Sequence, residues 1–471
     1  MGRAHHELLG DIREEFRGAA LGDQRLSQRL ERIVERVSVA PADSIPTLMA
    51  SEAEREAFYR FVGNASVGWQ AVLEPHLRAT AQRCAGAGLV RVVHDTTDFV
   101  FSGHREGLGP VMKDSRGFFL HAALAVAQGE ERAPLGVLGV LPYVRGAQQT
   151  RKSLNERKRQ VRSTPRAQKE SSRWEALAAQ VSARLGSREV IHVMDLEADD
   201  YAAMAALVQG GLRFVIRGSS QRLRVPKQGP SVQQELSVNE GELFRTVPLS
   251  KREGGGPKQR QAHPARPQRE AQLRIRWQPL TLHKPQHAQC EVPHLTLHVV
   301  QVFEPSPPAG EEPIAWTLFT TDVVQDAQAA ARVVDHYRAR WLAEEFFKAL
   351  KTGCALQKRQ LESLDALLTT LALFLPIAWR LLVLRLLGRI EASPPATTLF
   401  PQDELDALRA LAALKADYRL PHAPSVREAL LAIAAVGGHI QANGDPGWLV
   451  LGRGFEKFLF AIQVWRAARQ M

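Results

Sequence analysis

Two short apolar runs, each ending in an aspartate, constrain this chain more than any other feature: LVRVVHD at 89–95 and EVIHVMD at 189–195. Runs this short and this rich in Val and Ile read as strands. Between them, GFFLHAALAVAQ (117–128) and PLGVLGVLPYV (134–144) read as further strands, and ESSRWEALAAQVSARLG (170–186) as a helix stopped at Gly186. A helix over 200–209 and the strand RFVIRG (213–218) follow. Hairpin strands, then a helix, then a strand alternating with helices predict a mixed α/β sheet.

The flanks are of another kind. LGDQRLSQRLERIVERV places Leu26, Leu30, Ile33, Val34 and Val37 at helical spacing. SEAEREAFYRFVGN opens on a capping-box pattern, Ser51 and Glu54, with Ala57, Phe58 and Phe61 as its apolar stripe and Asn64 as a stop. Residues 219–312 are rich in Gln, Pro, Arg and Gly, with GGGPKQRQAHPARPQR as an expected flexible loop. LRIRWQPLTL (273–282) and LTLHVVQVF (295–303) alternate apolar and polar residues and predict strands with one solvated face. From 326 the chain reads as helical to about 390, with a loop at 391–402 and further helices broken by GDPGW (444–448). The expected division is a helical domain at 1–75, an α/β domain at 76–370 with a β-rich insertion over about 218–316, and a helical domain at 371–471.

A net charge of +11 favours a polyanionic partner, because each neutralised phosphate releases condensed counterions. A basic protein with no nucleic-acid role has the same charge. The basic run at 151–169 (Arg151, Lys152, Arg157, Lys158, Arg159, Arg162, Arg166, Lys169) has no interleaved aromatics, so it reads as a solvated loop or as a backbone-contacting one. Cys84, Cys290 and Cys354 are too few and too scattered for a disulfide framework and fit a reducing compartment. The N-terminus lacks the apolar core of a signal peptide. Ala366 to Gly388 is nearly all apolar but carries Pro376, Arg380 and Arg385, so it reads as a buried or subunit-facing helix, not a membrane span. A cytoplasmic protein is expected.

Aspartates at strand ends suit a metal site, because the backbone fixes them beyond the sheet's edge. Asp95 and Asp195 each end their apolar run directly, whereas Asp98, Glu197, Asp199 and Asp200 are offset, and Asp199 and Asp200 stand where acids suit a helix dipole. Mg²⁺ takes oxygen ligands and keeps waters, and two such ions clamp an in-line displacement at phosphorus. A third carboxylate would come from HYRARWLAEEFFKALKTG (336–353). Read as one helix, Tyr337, Arg340, Glu344, Lys348 and Lys351 share a face, and Trp341, Phe346 and Leu350 pack elsewhere. An exposed helix laced with ion pairs fits the same spacing. A histidine-rich set (His283, His287, Cys290, His294, His298) has no standard zinc spacing.

Tyr337, Arg340, Glu344 and Lys351 stand as Y-x2-R-x3-E-x6-K, which resembles the signature of the insertion-sequence-four family of bacterial cut-and-paste transposases. HDTTDF (94–99), KDSRGFFLHAAL (113–124), MDLEAD (194–199), RFVIRG (213–218), EEPIAWTLFTT (311–321), LGDQRLSQRLERI and AFYRFVGN are similar to further segments of that family. The resemblance implies a ribonuclease-H-like α/β core interrupted by a β-rich insertion, an N-terminal DNA-binding domain and a C-terminal helical domain that forms a homodimer on DNA. It implies Asp95, Asp195 and Glu344 as ligands of two Mg²⁺ ions, replaceable by Mn²⁺. Tyr337, Arg340 and Lys351 would contact phosphates, Trp316 would stack on a flipped base, and Arg217 and Lys348 would contact DNA. Leu196 stands where the signature often has Arg, and Phe347 where a well-known member has His; both bear on the handling of DNA ends. The activity implied is cleavage at terminal inverted repeats through a hairpin, then strand transfer to target DNA. The rival readings are a structure-specific nuclease on the same core, which would cut but not join, and a non-catalytic DNA-binding relic.

Overall fold

In the computed structural model the described residues are 11–470, except 40, 113–114, 130–131, 147–155, 157–158, 160–162, 226–227, 250, 252–264, 388, 390–392, 415–417, 441 and 443. Residues 254–264 of the expected flexible loop and most of the basic run at 151–169 lie outside them, and the loop's last residue, Arg269, begins a strand and pairs with Glu304 and Glu311. The chain divides into two compact units. One comprises the residues up to Val90, Thr96–Arg151 and Trp341 onward; the other comprises Arg91–Asp95 and Lys152–Arg340.

In the first unit, helices α1 (Gln24–Val39), α2 (Ile45–Leu48), α3 (Glu52–Val62) and α4 (Trp69–Ala85) form where the apolar spacing places them. Leu30, Ile33, Val34 and Val37 of α1 are buried, as are Phe58 and Phe61 of α3. Ser51 caps α3 by accepting from the Glu54 N–H at 3.2 Å. The reciprocal half of the capping box is not made: the Glu54 carboxylate turns to Arg36 and to the Ala50 N–H. Strand β1 (Val90–Phe101) gives this unit its residues from Thr96 on, beside β3 (Ser115–Ala127), which pairs antiparallel with β2 (Gly109–Met112) and β4 (Pro134–Tyr143).

The apolar run becomes α10 (Leu364–Leu387), among the described residues the one helix long and apolar enough to cross a membrane. It is buried along most of its length against α4 and β4, and its Trp379 indole N–H donates to the Pro134 carbonyl at 2.9 Å. The sequence's expectation of a buried helix thus holds. Beyond it, α11 (Gln402–Ala413), α12 (Val426–Val436) and α13 (Trp448–Gln470) pack on one another. The preceding helical segment, α9 (Trp341–Lys348), belongs to this unit too.

The second unit is one sheet with helices. Its strand order is β1, β5 (Val190–Met194), β6 (Arg213–Gly218), β12 (Ala315–Thr320), β11 (His294–Phe303), β10 (Arg269–His283) and β9 (Glu242–Leu249). β5 and β6 run parallel, and from β6 to β9 every pair is antiparallel. The β-rich insertion therefore prolongs the sheet, and its Leu280, Leu282, Leu297 and Val299 join Met194, Phe214, Ile216 and Phe319 in one core. Helices α5 (Arg173–Leu185) and α6 (Tyr201–Gln209) add Trp174, Tyr201 and Met204 to that core. A small hairpin, β7 (Leu223–Val225) with β8 (Gln228–Ser231), leads into the capped turn α7 (Val232–Leu236), and α8 (Ala327–Arg338) closes the unit.

A buried polar network holds the start of the first unit. Glu15 accepts from Arg83 at 2.7 Å and lies 2.5 Å from His76 Nδ1. The Val137 N–H donates to His76 Nε2, so Nδ1 carries the ring proton and donates to Glu15 without the ring being charged. Burial alone would raise the Glu15 carboxyl, but the hydrogen bonds from His76 and Arg83 outweigh it and hold it at about 2. Burial also pushes His76 below its ordinary 6.5. Both groups thus titrate lower when folded, so their stabilisation is present at neutral pH and lost on acidification, below about 6.5 for His76 and about 4.5 for Glu15. The urea midpoint should therefore fall between pH 7 and pH 4. Glu15→Gln should cost about 3 kcal/mol at pH 7, by leaving buried Arg83 without its anion.

Candidate active site

Strands β1 and β5 are neighbours, and the rings of His94 and His192 meet across them, Nε2 to Nδ1 at 2.9 Å. These two side chains therefore share a face. Successive strand side chains alternate, so Arg91 and Asp95 of β1 project to the opposite face. The extended backbone at Asp195 (φ −87°, ψ −169°) continues the alternation one residue past β5 and puts its carboxylate on that face too. The partners agree: Arg91 donates to His336 Nδ1 at 2.9 Å, and Asp95 Oδ2 accepts from Arg340 at 3.1 Å. One helical turn of the α8 segment thus tracks one interval of β1.

Asp95 is not at a strand end. β1 continues through Thr96, Thr97 and Asp98 to Phe101, because β-branched and aromatic residues keep the backbone extended. What ends at Asp95 is full burial: Val90 to His94 are buried and Asp95 to Asp98 are partly exposed. Asp195 does stand just beyond its strand, where its Oδ1 accepts from the Glu197 N–H at 2.9 Å.

Tyr337 is buried beside these carboxylates. Its ring meets Trp316 edge-on at 5.4 Å between centroids, and the Arg217 guanidinium donates to its phenol oxygen. Burial pushes the phenol above its usual value, the guanidiniums of Arg340 and Arg217 pull it back, and nearby Asp195 adds to the rise. Trp316 is half-buried on β12 opposite Val302, and Arg217 lies on β6 opposite Leu318. Asp95, Asp195, Arg217, Trp316, Tyr337 and Arg340 are therefore brought together within the second unit. His336 stays neutral there: burial, and then the Arg91 guanidinium, lower it to about 4.

The single helix expected over 336–353 is broken. α8 ends at Arg338, tight turns run from Ala339 N to His336 O and from Arg340 N to Tyr337 O, and α9 starts at Trp341. The last turn, Ala349–Gly353, is a π-turn closed by Cys354 N to Ala349 O. Tyr337 and Arg340 thus belong to the second unit, and Glu344, Lys348 and Lys351 to the first. Trp341, expected to pack, is 55% exposed, with the Lys348 ammonium 5.0 Å over its ring. Phe346 and Leu350 are buried as expected. In the first unit Glu344 is partly exposed on α9, Lys348 pairs with Glu345 at 3.0 Å, and Lys351 pairs with Asp98 at 3.1 Å.

The passed-over acids have structural partners. Asp200 caps α6 by accepting from the Ala202 and Ala203 N–H groups, and Asp199 and Glu197 pair with Arg222 and Arg173. Arg166 of the basic run is committed to Glu175 and Asp200. His283 and His294 face each other across β10 and β11, while His298 accepts from the Val324 N–H. Among the described residues no three His, Cys, Asp or Glu side chains stand close enough to hold a metal ion. Asp95 and Asp195 offer only oxygen donors, a set that fits Mg²⁺ or Mn²⁺ rather than zinc.

Sequence reasoning missed the His94–His192 contact, which Ser182 of α5 extends by a hydrogen bond to His192 Nε2 at 2.9 Å. Its only signal was a histidine within three residues of each aspartate.

Comparison with known proteins agrees with this architecture. Residues 12–67 match the family described as transposase DNA-binding, and residues 158–375 match the transposase DDE domain. Residues 12–67 are thus similar to a transposase DNA-binding domain and residues 158–375 to a transposase DDE domain, and the mixed sheet with flanking helices is of the ribonuclease-H-like class. A solved structure described as a piggyBac transposase synaptic complex with hairpin DNA is similar over 99% of this chain and 81% of its own, at 8% identity and a TM-score of 0.37.

Edge-on aromatic pairs add about 0.5–1.5 kcal/mol beyond burial. A double-mutant cycle with Trp316→Ala and Tyr337→Ala, read by urea unfolding, should return a coupling of that size. A coupling near zero would show that the two rings do not support each other.

Proposed function

We propose that this chain is a metal-dependent DNA transposase that cuts at the terminal inverted repeats of its own element and joins the freed ends to target DNA. The observation that carries the reading is the single face of β1 and β5 on which Asp95 and Asp195 stand among Arg217, Arg340, Tyr337 and Trp316. Carboxylates ringed by guanidiniums suit a phosphodiester held beside a cation. The transposase domains matched at 12–67 and 158–375 support the same class of chemistry.

Asp95 and Asp195 would hold Mg²⁺, with Mn²⁺ able to replace it; Glu344 as third ligand and the second ion rest on the Y-x2-R-x3-E-x6-K resemblance alone, since no three such side chains stand together among the described residues. Bound there, the ions would supply Lewis acidity toward the attacking and leaving oxygens of an in-line displacement. The chain's own residues do the rest. Arg340 pairs with Asp95 at 3.1 Å and would pass its guanidinium to a phosphate when DNA and metal bind. Arg217 offers a planar fork to the same backbone. The raised Tyr337 phenol stays protonated at neutral pH and can donate to a phosphate oxygen. Trp316 offers a ring to an unpaired base, and Lys348 and Lys351 add positive charge.

The proposed sequence of steps starts with water cutting one strand to leave a 3′-OH. That hydroxyl attacks the opposite strand to give a hairpin, a second water opens it, and the freed 3′-OH attacks target DNA. A homodimer joined through the C-terminal helices, acting on the nucleoid of a bacterial cytoplasm, completes the reading.

The test is cleavage of labelled duplex carrying the terminal repeats, with Mg²⁺ or Mn²⁺. The native protein should nick and then join, while Glu344→Gln and Asp95→Asn should bind DNA but lose at least about a hundredfold in cleavage. Cutting without joining would favour the nuclease reading. Binding without cleavage in either metal would leave a DNA-binding relic.

A further inference from the structure

We propose that His94, His192 and Ser182 are positioning residues that fix the register of β1 against β5 and so hold Asp95 and Asp195 on one face. This rests on the reading of those two aspartates as metal ligands. The three groups form a continuous chain through the second unit: His94 Nε2 to His192 Nδ1 at 2.9 Å, and His192 Nε2 to Ser182 Oγ at 2.9 Å. Both imidazoles are essentially fully buried, at 0% and 1% exposure. They lie on the α5 side of the strand pair, the face away from the carboxylates.

The geometry gives the chain its leverage. Strand side chains alternate with a period of two, so a one-residue slip of β1 along β5 turns every side chain of β1 to the other face. A slip would bury Asp95 on the α5 side and strip His192 of its imidazole partner. Val92 and Val93 by themselves do not exclude it, because both are fully buried and either fits either face; farther along β1 the burial of Phe99 and Phe101 opposes it as well. The directional bonds between the imidazoles do discriminate. His94 Nε2 and both ring nitrogens of His192 are each engaged at 2.9 Å, and His94 precedes Asp95 directly in the backbone. The same chain ties β5 to α5, so the strand bearing Asp195 is anchored from behind.

Mn²⁺ alone is the probe, titrated into the full-length protein and followed by water-proton relaxation, with amide exchange of β1 and β5 measured without metal. In His94→Leu/His192→Leu both polar partners are replaced together, which avoids stranding either one in the core. It should fold cooperatively, bind Mn²⁺ about tenfold more weakly, and exchange its β1 and β5 amides faster. His94→Gln, which keeps a hydrogen-bonding group near Nε2, should bind Mn²⁺ within about threefold of the native chain. A double-leucine variant that folds with native affinity and native exchange overturns the proposal. If that variant does not fold, Ser182→Ala decides: affinity lowered by more than about threefold, with faster β5 amide exchange, supports the chain, and affinity within about threefold of native with native exchange overturns it. Asp95→Asn is the reference. Native Mn²⁺ affinity in that variant removes the ligand reading itself, and the inference with it, whereas weakened affinity there with a native double-leucine variant isolates the failure to the register.

Discussion

The alternation of side chains along β1 governs everything that the second unit can do. Even-numbered His94 meets His192 on one face, and odd-numbered Arg91 and Asp95 meet His336 and Arg340 on the other. One strand thus serves two layers at once, with α5 behind it and the α8 segment before it. The α5 side is held by buried hydrogen bonds among His94, His192 and Ser182, and a buried imidazole without a partner is costly.

Charge is distributed with the same economy. Asp95 lies under Arg340, Asp98 under Lys351, and Asp199 and Asp200 under Arg222 and Arg166. The last two pairs are internal supports for a helix start. All four pairs join residues that are partly exposed. Such pairs exchange partners at modest cost, since a cation released from a carboxylate can be taken up by a phosphate.

In the first unit the governing term is apolar burial. α10 would be a membrane-length helix by composition, yet β4 and α4 cover it, and Trp379 has its indole N–H satisfied by Pro134. The Glu15–His76–Arg83 network lies against that same tryptophan, with Arg83 4.3 Å over its ring. A basic, arginine-rich chain can in this way bury charge, provided each charge finds an anion or a carbonyl.

Much of this was legible in the sequence. Apolar runs located β1, β3, β4, β5, β6, β10 and β11, and Gly186 marked the end of α5, because local periodicity and turn chemistry depend on neighbours within a few residues. Asp200 at the start of α6 was legible for the same local reason, since a cap is written next to the helix it caps. What only tertiary structure decided involves partners far apart in the chain. β1 lies between β3 and β5, which follow it in the chain, and no residue of the run itself names those neighbours. The helix expected over 336–353 breaks at Ala339, although nothing in its composition marks that point. His94 and His192 are separated by 98 positions, and no periodicity reports that their rings touch. Sequence spacing fixes which residues share an element, whereas the side a carboxylate faces depends on the register between strands, which is settled only when both are buried together.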